Sequence, residues 1–372
     1  MAKAFGIINT TGNHIWVEGM QDYRPIGAFS FLGRYRVIDF AMSNFSNSDI
    51  DRIHVLAGSK PRSLTEHLGS GRQYNINSKR GNVQILFADN HSRNSIYNTD
   101  IATFDENMDD SIGKMKEPYV VIAPSNMVFK QSFKKLVDTH AASGADITLL
   151  YHSVENANEA YLNCDYVTLN RQKGVLEIQK NRGNEAQRDI FMGTYVMKTE
   201  LFIELIGKAK TLSSMYTLAQ IVNLSCDELD VRGYAHEGYF AAITDLKSYY
   251  DANMALLDIE KAEDLINDDW PIYTRTNDSC PTQYFADAEV KHSVISNGCL
   301  IEGTIENSII GRGCIIKKGV VIKDSVILPD TVIEEGIRVE CQVVDKHSKL
   351  LHCKELVAAA DAPGYVRRGD TL

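Results

Sequence analysis

Three arginines stand close together in an otherwise acidic chain. Arg24, Arg34 and Arg36 share one short stretch of a 372-residue sequence with formal net charge -10. Guanidinium forks match phosphate oxygens, so the group could hold a phosphorylated or other anionic ligand. The alternative is that Arg34 and Arg36 pair with acidic residues on neighbouring surfaces. Other chemistry-bearing types form no set. His54, His67 and His140 have no carboxylate or cysteine at ligand spacing. Ser43, Ser46 and Ser48 lack the Gly-x-Ser-x-Gly surroundings of a nucleophile elbow. The seven cysteines are scattered without a Cys-x-x-Cys, which reads as reduced thiols, a cytoplasmic location and no metal site. The acidic balance argues against a nucleic-acid or anionic-membrane surface. No apolar run approaches the roughly 18 residues of a membrane span.

Elements of two kinds must position these residues. Val-, Ile- and Tyr-rich runs at 4–8, 53–57, 119–123, 146–150 and 195–197 predict strands. Helical stretches lie between them, at 35–45, 63–67, 130–142 and 200–208. Residues 233–243 predict a late strand, and 246–263 a helix leading out. Strands that are apolar throughout, alternating with helices, predict a parallel or mixed sheet covered on both faces. Further on, Ile309, Ile315, Val321, Ile327, Ile333 and Val339 recur every six residues. That period fits neither helix nor flat strand but does fit a three-sided parallel β-helix. Gly313 and Gly319 share the step and suit its corners. Val294 and Leu300 keep it too. The nine-residue step to Ile309 then predicts a small insertion in one coil. The expected organisation is an α/β domain over 1–265 and a β-helix domain over 280–372.

Several segments together resemble the ADP-glucose pyrophosphorylase (glucose-1-phosphate adenylyltransferase) family. Gly33-Arg34-Tyr35-Arg36-Val37-Ile38-Asp39-Phe40-Ala41-Met42-Ser43-Asn44 is similar to that family's G-K-Y-R-I-I-D-F-x-L-S-N. Met192-Gly193-Thr194-Tyr195-Val196 is similar to its M-G-x-Y-V/I strand, and Tyr249-Tyr250-Asp251-Ala252-Asn253-Met254 to its Y-Y-x-A-N-M helix. The resemblance spans almost the whole chain. It implies a Rossmann-like mixed-sheet nucleotidyltransferase (GT-A-like) domain followed by a left-handed β-helix. It also implies the coupling of ATP and glucose 1-phosphate to ADP-glucose and pyrophosphate in glycogen synthesis, with a carboxylate-held Mg²⁺.

The parts of that reaction centre are replaced one by one. The family's G-G-x-G-T-R-L phosphate loop is Asn9-Thr10-Thr11-Gly12-Asn13-His14 here. Its lysine before proline is Arg24, a planar fork rather than a compact ammonium. Its metal-binding Asp after the 119–123 strand falls on Ser125 or Asn126, neither an anionic ligand for a hard cation. Its second Asp falls on Ala242. Asp245, three positions later, reads as a helix N-cap. The adenine-side G-T-A-D-A is matched by Asn98-Thr99-Asp100-Ile101-Ala102. On the sugar-phosphate side Glu177, Lys180, Gly193 and Tyr195 survive as a vestige. A solvated strand edge is the alternative for the first two, core packing for the last two.

Losing both carboxylates and the phosphate loop removes many orders of magnitude in rate, each ~1.4 kcal/mol being tenfold. The pattern resembles a GlgD-type, non-catalytic regulatory subunit. That resemblance implies a catalytic glucose-1-phosphate adenylyltransferase partner, a heterotetramer, and a sugar-phosphate or anion effector, with Mg²⁺ and ATP used by the partner. Three rival readings stand beside it. One is an enzyme active alone. Another is a free-standing sugar-phosphate sensor. The third is a β-helix acyltransferase using His292.

Overall fold

The computed structural model describes residues 2–11, 15–87, 99–213 and 215–372. They form two compact units that interleave along the chain. The first comprises Met1–Ile15, Ile38–Thr244 and Asp268–Tyr273; the second comprises Trp16–Val37, Asp245–Asn267 and Thr274–Leu372. The expected limits at 265 and 280 were straight cuts in sequence, whereas two early and middle segments cluster with the β-helix. Side-chain bonds to the coils explain why: Arg24 donates to Asp345 Oδ1 at 2.6 Å, and Tyr250 OH donates to Asp324 O at 2.7 Å.

The first unit is built on a nine-stranded mixed sheet. One side of it is parallel: Tyr119–Pro124, Ala4–Asn9, Ile53–Ala57 and the edge strand Val83–Phe87 lie side by side in that order. Ile53–Ala57 is buried at every residue, as a strand covered on both faces must be. Gly6 is required there, because a Cβ would stand 2.5 Å from the Phe45 ring of helix Val37–Ser46. The long strand Arg188–Lys198 then forks the sheet. Its Tyr195–Lys198 half pairs with Tyr119–Pro124, while Ile190 pairs with Tyr166 of Asp165–Leu169. Its register against Ile147–Val154 slips between Phe191 and Thr194.

Two sequence expectations change here. The late strand over 233–243 is two strands, Val231–Ala235 and Phe240–Ala242, separated by Gly238 at φ 96°. The first runs parallel to Ile147–Val154, and the second pairs antiparallel with Met127–Phe129. The exit helix over 246–263 is two helices, Leu246–Ala255 and Ile259–Leu265, because Asp258 caps the second through Glu260 N. Asp245 does cap the first, accepting from Ser248 N at 2.7 Å. The helix expected from 35 begins at Val37, since Tyr35–Arg36 pairs with Ser30–Phe31 instead.

The second unit holds three five-stranded parallel sheets, the faces of the left-handed hexapeptide β-helix. Its interior is a column of aliphatics, among them Ile301, Ile310, Ile316, Ile322, Ile327, Ile333, Val339, Val344 and Leu350. The six-residue beat therefore changes sides. Ile309, Ile315 and Val321 face outward, each beside an interior neighbour, whereas Ile327, Ile333 and Val339 face in. One side of each coil spans five residues, as from Ile322 to Ile327. Asn307, Asp324 and Cys341 turn the corner there at φ 45–53°. The expected insertion is a shorter coil instead. Leu300 stands opposite Ile315 (300 to 315, fifteen residues), and Ile315 opposite Val332 (315 to 332, seventeen residues). Gly313 and Gly319 turn corners at φ 68° and 73°. No described helix is long and apolar enough to cross a membrane.

Candidate functional site

The fork in the first unit's sheet leaves room at the carboxyl ends of the parallel strands, where α/β sheets place their ligands. A cavity of about 450 Å³ opens there. Asn9 and Pro124 reach it from two strand ends, Phe191, Gly193 and Tyr195 from the register slip, and Gln220 and Asn223 from helix Leu218–Leu224. Gly193 sits at φ 58° with its missing Cβ 3.2 Å from the Pro124 ring, so a side chain there would strain the slip and crowd Pro124.

Asp100 is the buried carboxyl of this cavity. Its Oδ1 accepts from Leu218 N at 3.0 Å and Ile101 N at 2.9 Å, and its Oδ2 from Asn9 Nδ2 at 3.3 Å. These donors favour the anion, but burial outweighs them and pushes the carboxyl up to about 7. Tyr195 is pushed well above the ordinary phenol range by burial, then by Asp100 and Asp165. Lys180 lies 3.0 Å from Asp165 and donates to Asn163 O at 3.3 Å. The Lys180 ammonium is thus already matched by a carboxylate.

Asn126 and Ala242 come together. Strand Phe240–Ala242 pairs with Met127–Phe129 so that Ala242 stands opposite Met127. Asn126 Nδ2 donates to Ile243 O at 3.1 Å, and Ile243 N returns a bond to Asn126 O at 2.8 Å. Asn126 lines the cavity; Ser125 and Ala242 are buried beside it but are not among its walls. These residues do not fit Mg²⁺. One is a neutral amide whose nitrogen is committed to the backbone, and the other is a methyl group. Among the described residues no group of three or more His, Cys, Asp or Glu could hold a metal ion.

Gly193 and Tyr195 meet Lys180 in the cavity walls, but Glu177 does not join them. It is exposed on the edge strand Val175–Lys180, beyond a bulge between Val175 and Glu177. Gly12, Asn13, His14 and Asn98 lie outside the described residues. His67 has a partner that spacing did not reveal: its Nε2 lies 2.6 Å from Asp39 Oδ1, which also accepts from Tyr74 OH at 2.7 Å. All three are buried, so the group belongs to the core. His140 Nδ1 lies 2.8 Å from Thr148 Oγ1. His292 is exposed at a coil corner, 2.9 Å from Asn307 Oδ1.

The arginines belong to the second unit and divide. Arg34 is exposed over the Tyr35 ring. Arg24 is 2% exposed and bonds Asp345 at 2.6 Å, with its Nε and Nη1 buried and lacking hydrogen-bond partners. Arg36 donates to Ala28 O at 3.0 Å. Two members missed in the sequence join them, Lys346 and Arg368. Lys346 is pulled well below the ordinary lysine range, first by burial, then by Arg36 and Arg24, with Arg368 adding to the effect and Asp345 opposing it. Asp345 also accepts from Tyr365 OH at 2.7 Å. The sequence signal was faint: Lys346 follows a β-helix strand and Arg368 lies near the end of the tail, far from Arg24.

Comparison with known proteins agrees with this architecture. The nucleotidyl transferase family model matches residues 23–259, and that of GlmU-like C-terminal hexapeptide domains matches 281–357. The chain is 28% identical over 370 residues to glycogen biosynthesis protein GlgD of Bacillus subtilis (strain 168), covering 99% of this chain and 96% of that one. It is 31% identical over 294 residues to a glucose-1-phosphate adenylyltransferase of Lachnospira eligens, covering 78% and 69%. It is 29% identical over 323 residues to the GlgD of Geobacillus stearothermophilus, covering 85% and 82%. Fold, motifs and relatives agree: the chain belongs to the nucleotidyl transferase family, alongside the GlgD proteins and the glucose-1-phosphate adenylyltransferases.

Proposed function

We propose that this chain is a catalytically silent, regulatory subunit of a cytoplasmic glucose-1-phosphate adenylyltransferase that serves glycogen biosynthesis. The observation that carries the reading is the pairing of Asn126 with the Ile243 backbone, which sets Ala242 opposite Met127 beside it. Two strands that would each present a carboxylate to a divalent cation present an amide and a methyl instead. In-line attack on a nucleotide α-phosphorus needs that cation to stabilise developing charge. The subunit works by assembling with a catalytic chain and altering its rate, and an anionic effector binds at Arg24, Arg36, Lys346 and Arg368.

The test measures pyrophosphate release from ATP, glucose 1-phosphate and Mg²⁺ by three samples: this chain, a catalytic glucose-1-phosphate adenylyltransferase from the same cell, and their mixture. The expected result is no turnover by this chain and a rate in the mixture above that of the catalytic chain alone. Turnover by this chain in isolation sinks the proposal and favours the active-enzyme reading.

A further inference from the structure

We propose that the first unit's cavity binds an uncharged ring carrying vicinal hydroxyls, a free sugar or a nucleoside, in preference to its phosphorylated form. This deepens, and rests on, the reading of the cavity as the vacated centre of a silent subunit. Charge is the first argument. Among the described walls, one ammonium, Lys180, faces two carboxyl groups, Asp100 and Asp165, and is bonded to the second at 3.0 Å. Among the described residues an arriving phosphate finds no uncommitted cation there and meets the Asp165 carboxylate, while the Asp100 carboxyl, pushed up to about 7, offers it no positive charge.

Hydrogen-bonding capacity is the second argument. The Tyr195 side chain is 6% exposed, and its hydroxyl has no hydrogen-bond partner among the described residues. Asn126 Oδ1 is likewise open, its Nδ2 being bonded to Ile243 O. Asn223 uses its Oδ1 on Ile178 N at 2.6 Å, which leaves its amide hydrogens to the cavity. A phenol, an amide oxygen, amide hydrogens and the Asp100 carboxyl together offer both donors and acceptors. A row of hydroxyls, each a donor and an acceptor, answers that set; a phosphate, which only accepts, does not. Phe191 and Tyr216 add flat apolar surface for a ring face. The volume suits a small ring ligand, since such pockets span roughly 300–1,000 Å³.

Calorimetry on the full chain with D-glucose, maltose and adenosine, against glucose 1-phosphate and ATP with Mg²⁺, tests this. The expected result is saturable binding of a neutral compound, at least tenfold tighter than its phosphorylated counterpart. Response to glucose or maltose identifies a sugar site, and response to adenosine a nucleoside site. Tyr195→Phe should weaken that binding at least tenfold without moving the melting temperature. Met215→Arg, at a half-exposed rim position, should strengthen glucose 1-phosphate binding while leaving the neutral ligand within threefold. Tighter binding of the phosphorylated form, binding of neither form, or indifference to both substitutions overturns the inference. Those outcomes are read by calorimetry, whereas failure of the silent-subunit reading is read by pyrophosphate release, so the two are distinguishable.

Discussion

At the residue scale, Asp100 makes a sharp prediction. A carboxyl lifted from 3.8 to about 7 stays protonated in the folded chain while it ionises in the unfolded one. The unfolded state then binds fewer protons, so stability falls as pH rises from about 4 to about 7 and is level beyond. At roughly 1.4 kcal/mol per pKa unit, the loss is on the order of a few kcal/mol. His54 and His140, held neutral by burial at about 4, titrate in the same window with the opposite sign. The prediction therefore concerns a difference. Urea unfolding of wild type and Asp100→Asn at pH 4.5 and pH 8 should show the variant gaining relative stability at the higher pH. An equal offset at both pH values would mean that Asp100 is ionised in the fold. A second substitution tests the metal positions: Asn126→Asp with Ala242→Asp should make the melting temperature rise with added Mg²⁺, where wild type shows no change. An unchanged response in the double variant would mean that these strands never framed a cation. The neutral side chains at Asn126 and Ala242 were legible in sequence, because each falls in a motif with fixed spacing. The committed state of Lys180 was not, since Asp165 sits on a neighbouring strand brought alongside by sheet pairing.

At the element scale, the β-helix declared itself through period, yet the six-residue beat does not keep to one face of the coil. Each full coil has one five-residue side and two six-residue sides, so a strict six-residue comb slides from outside to inside at Ile327. Aliphatics on both faces hid the slip, because Ile309 and Val326 of the outer face are buried too. The segment over 16–37 was harder still. Nothing local marks it as a companion of the coils, since its ties are to residues far along the chain. The Arg24–Asp345 pair is the clearest tie, at 2% and 0% exposure. Removing one partner of a buried pair costs about 3–5 kcal/mol, because the other is left charged and unmatched. Asp345→Ala should therefore lower the unfolding free energy by about that much in guanidinium titrations. Arg24→Met with Asp345→Leu should cost far less. Equal losses in the two variants would show that packing volume, rather than charge pairing, secures the segment. An interior coil residue provides the comparison: Ile322→Ala should cost about 2–5 kcal/mol through its cavity alone.

At the scale of the whole molecule, an acidic chain keeps a small reserve of concentrated positive charge. Arg24, Arg36, Lys346 and Arg368 bear on one another, with Asp345 as the carboxylate among them and Tyr365 bonded to it. Burial and the arginines hold Lys346 well below the ordinary lysine range, so the ammonium is disfavoured until a counter-charge arrives. A dianionic phosphate supplies that counter-charge. Its binding must raise the lysine's proton affinity, and by linkage the complex takes up a proton. Inorganic phosphate should thus raise the unfolding midpoint. An anion that binds the folded state adds ~2.7 kcal/mol at a hundred times its dissociation constant. Calorimetry at pH 8 in two buffers of different ionisation enthalpy should show net proton uptake on phosphate binding. Lys346→Met should abolish the uptake while leaving weakened binding, whereas Arg36→Ala should weaken binding and retain part of the uptake. Binding with no proton uptake would mean that Lys346 is already charged. No binding at all would mean that Asp345 suffices to neutralise the cluster and would count against the proposed effector site. If phosphate binds as expected, the same two variants should lose the anion response of the mixed enzyme while its basal rate above the catalytic chain alone persists.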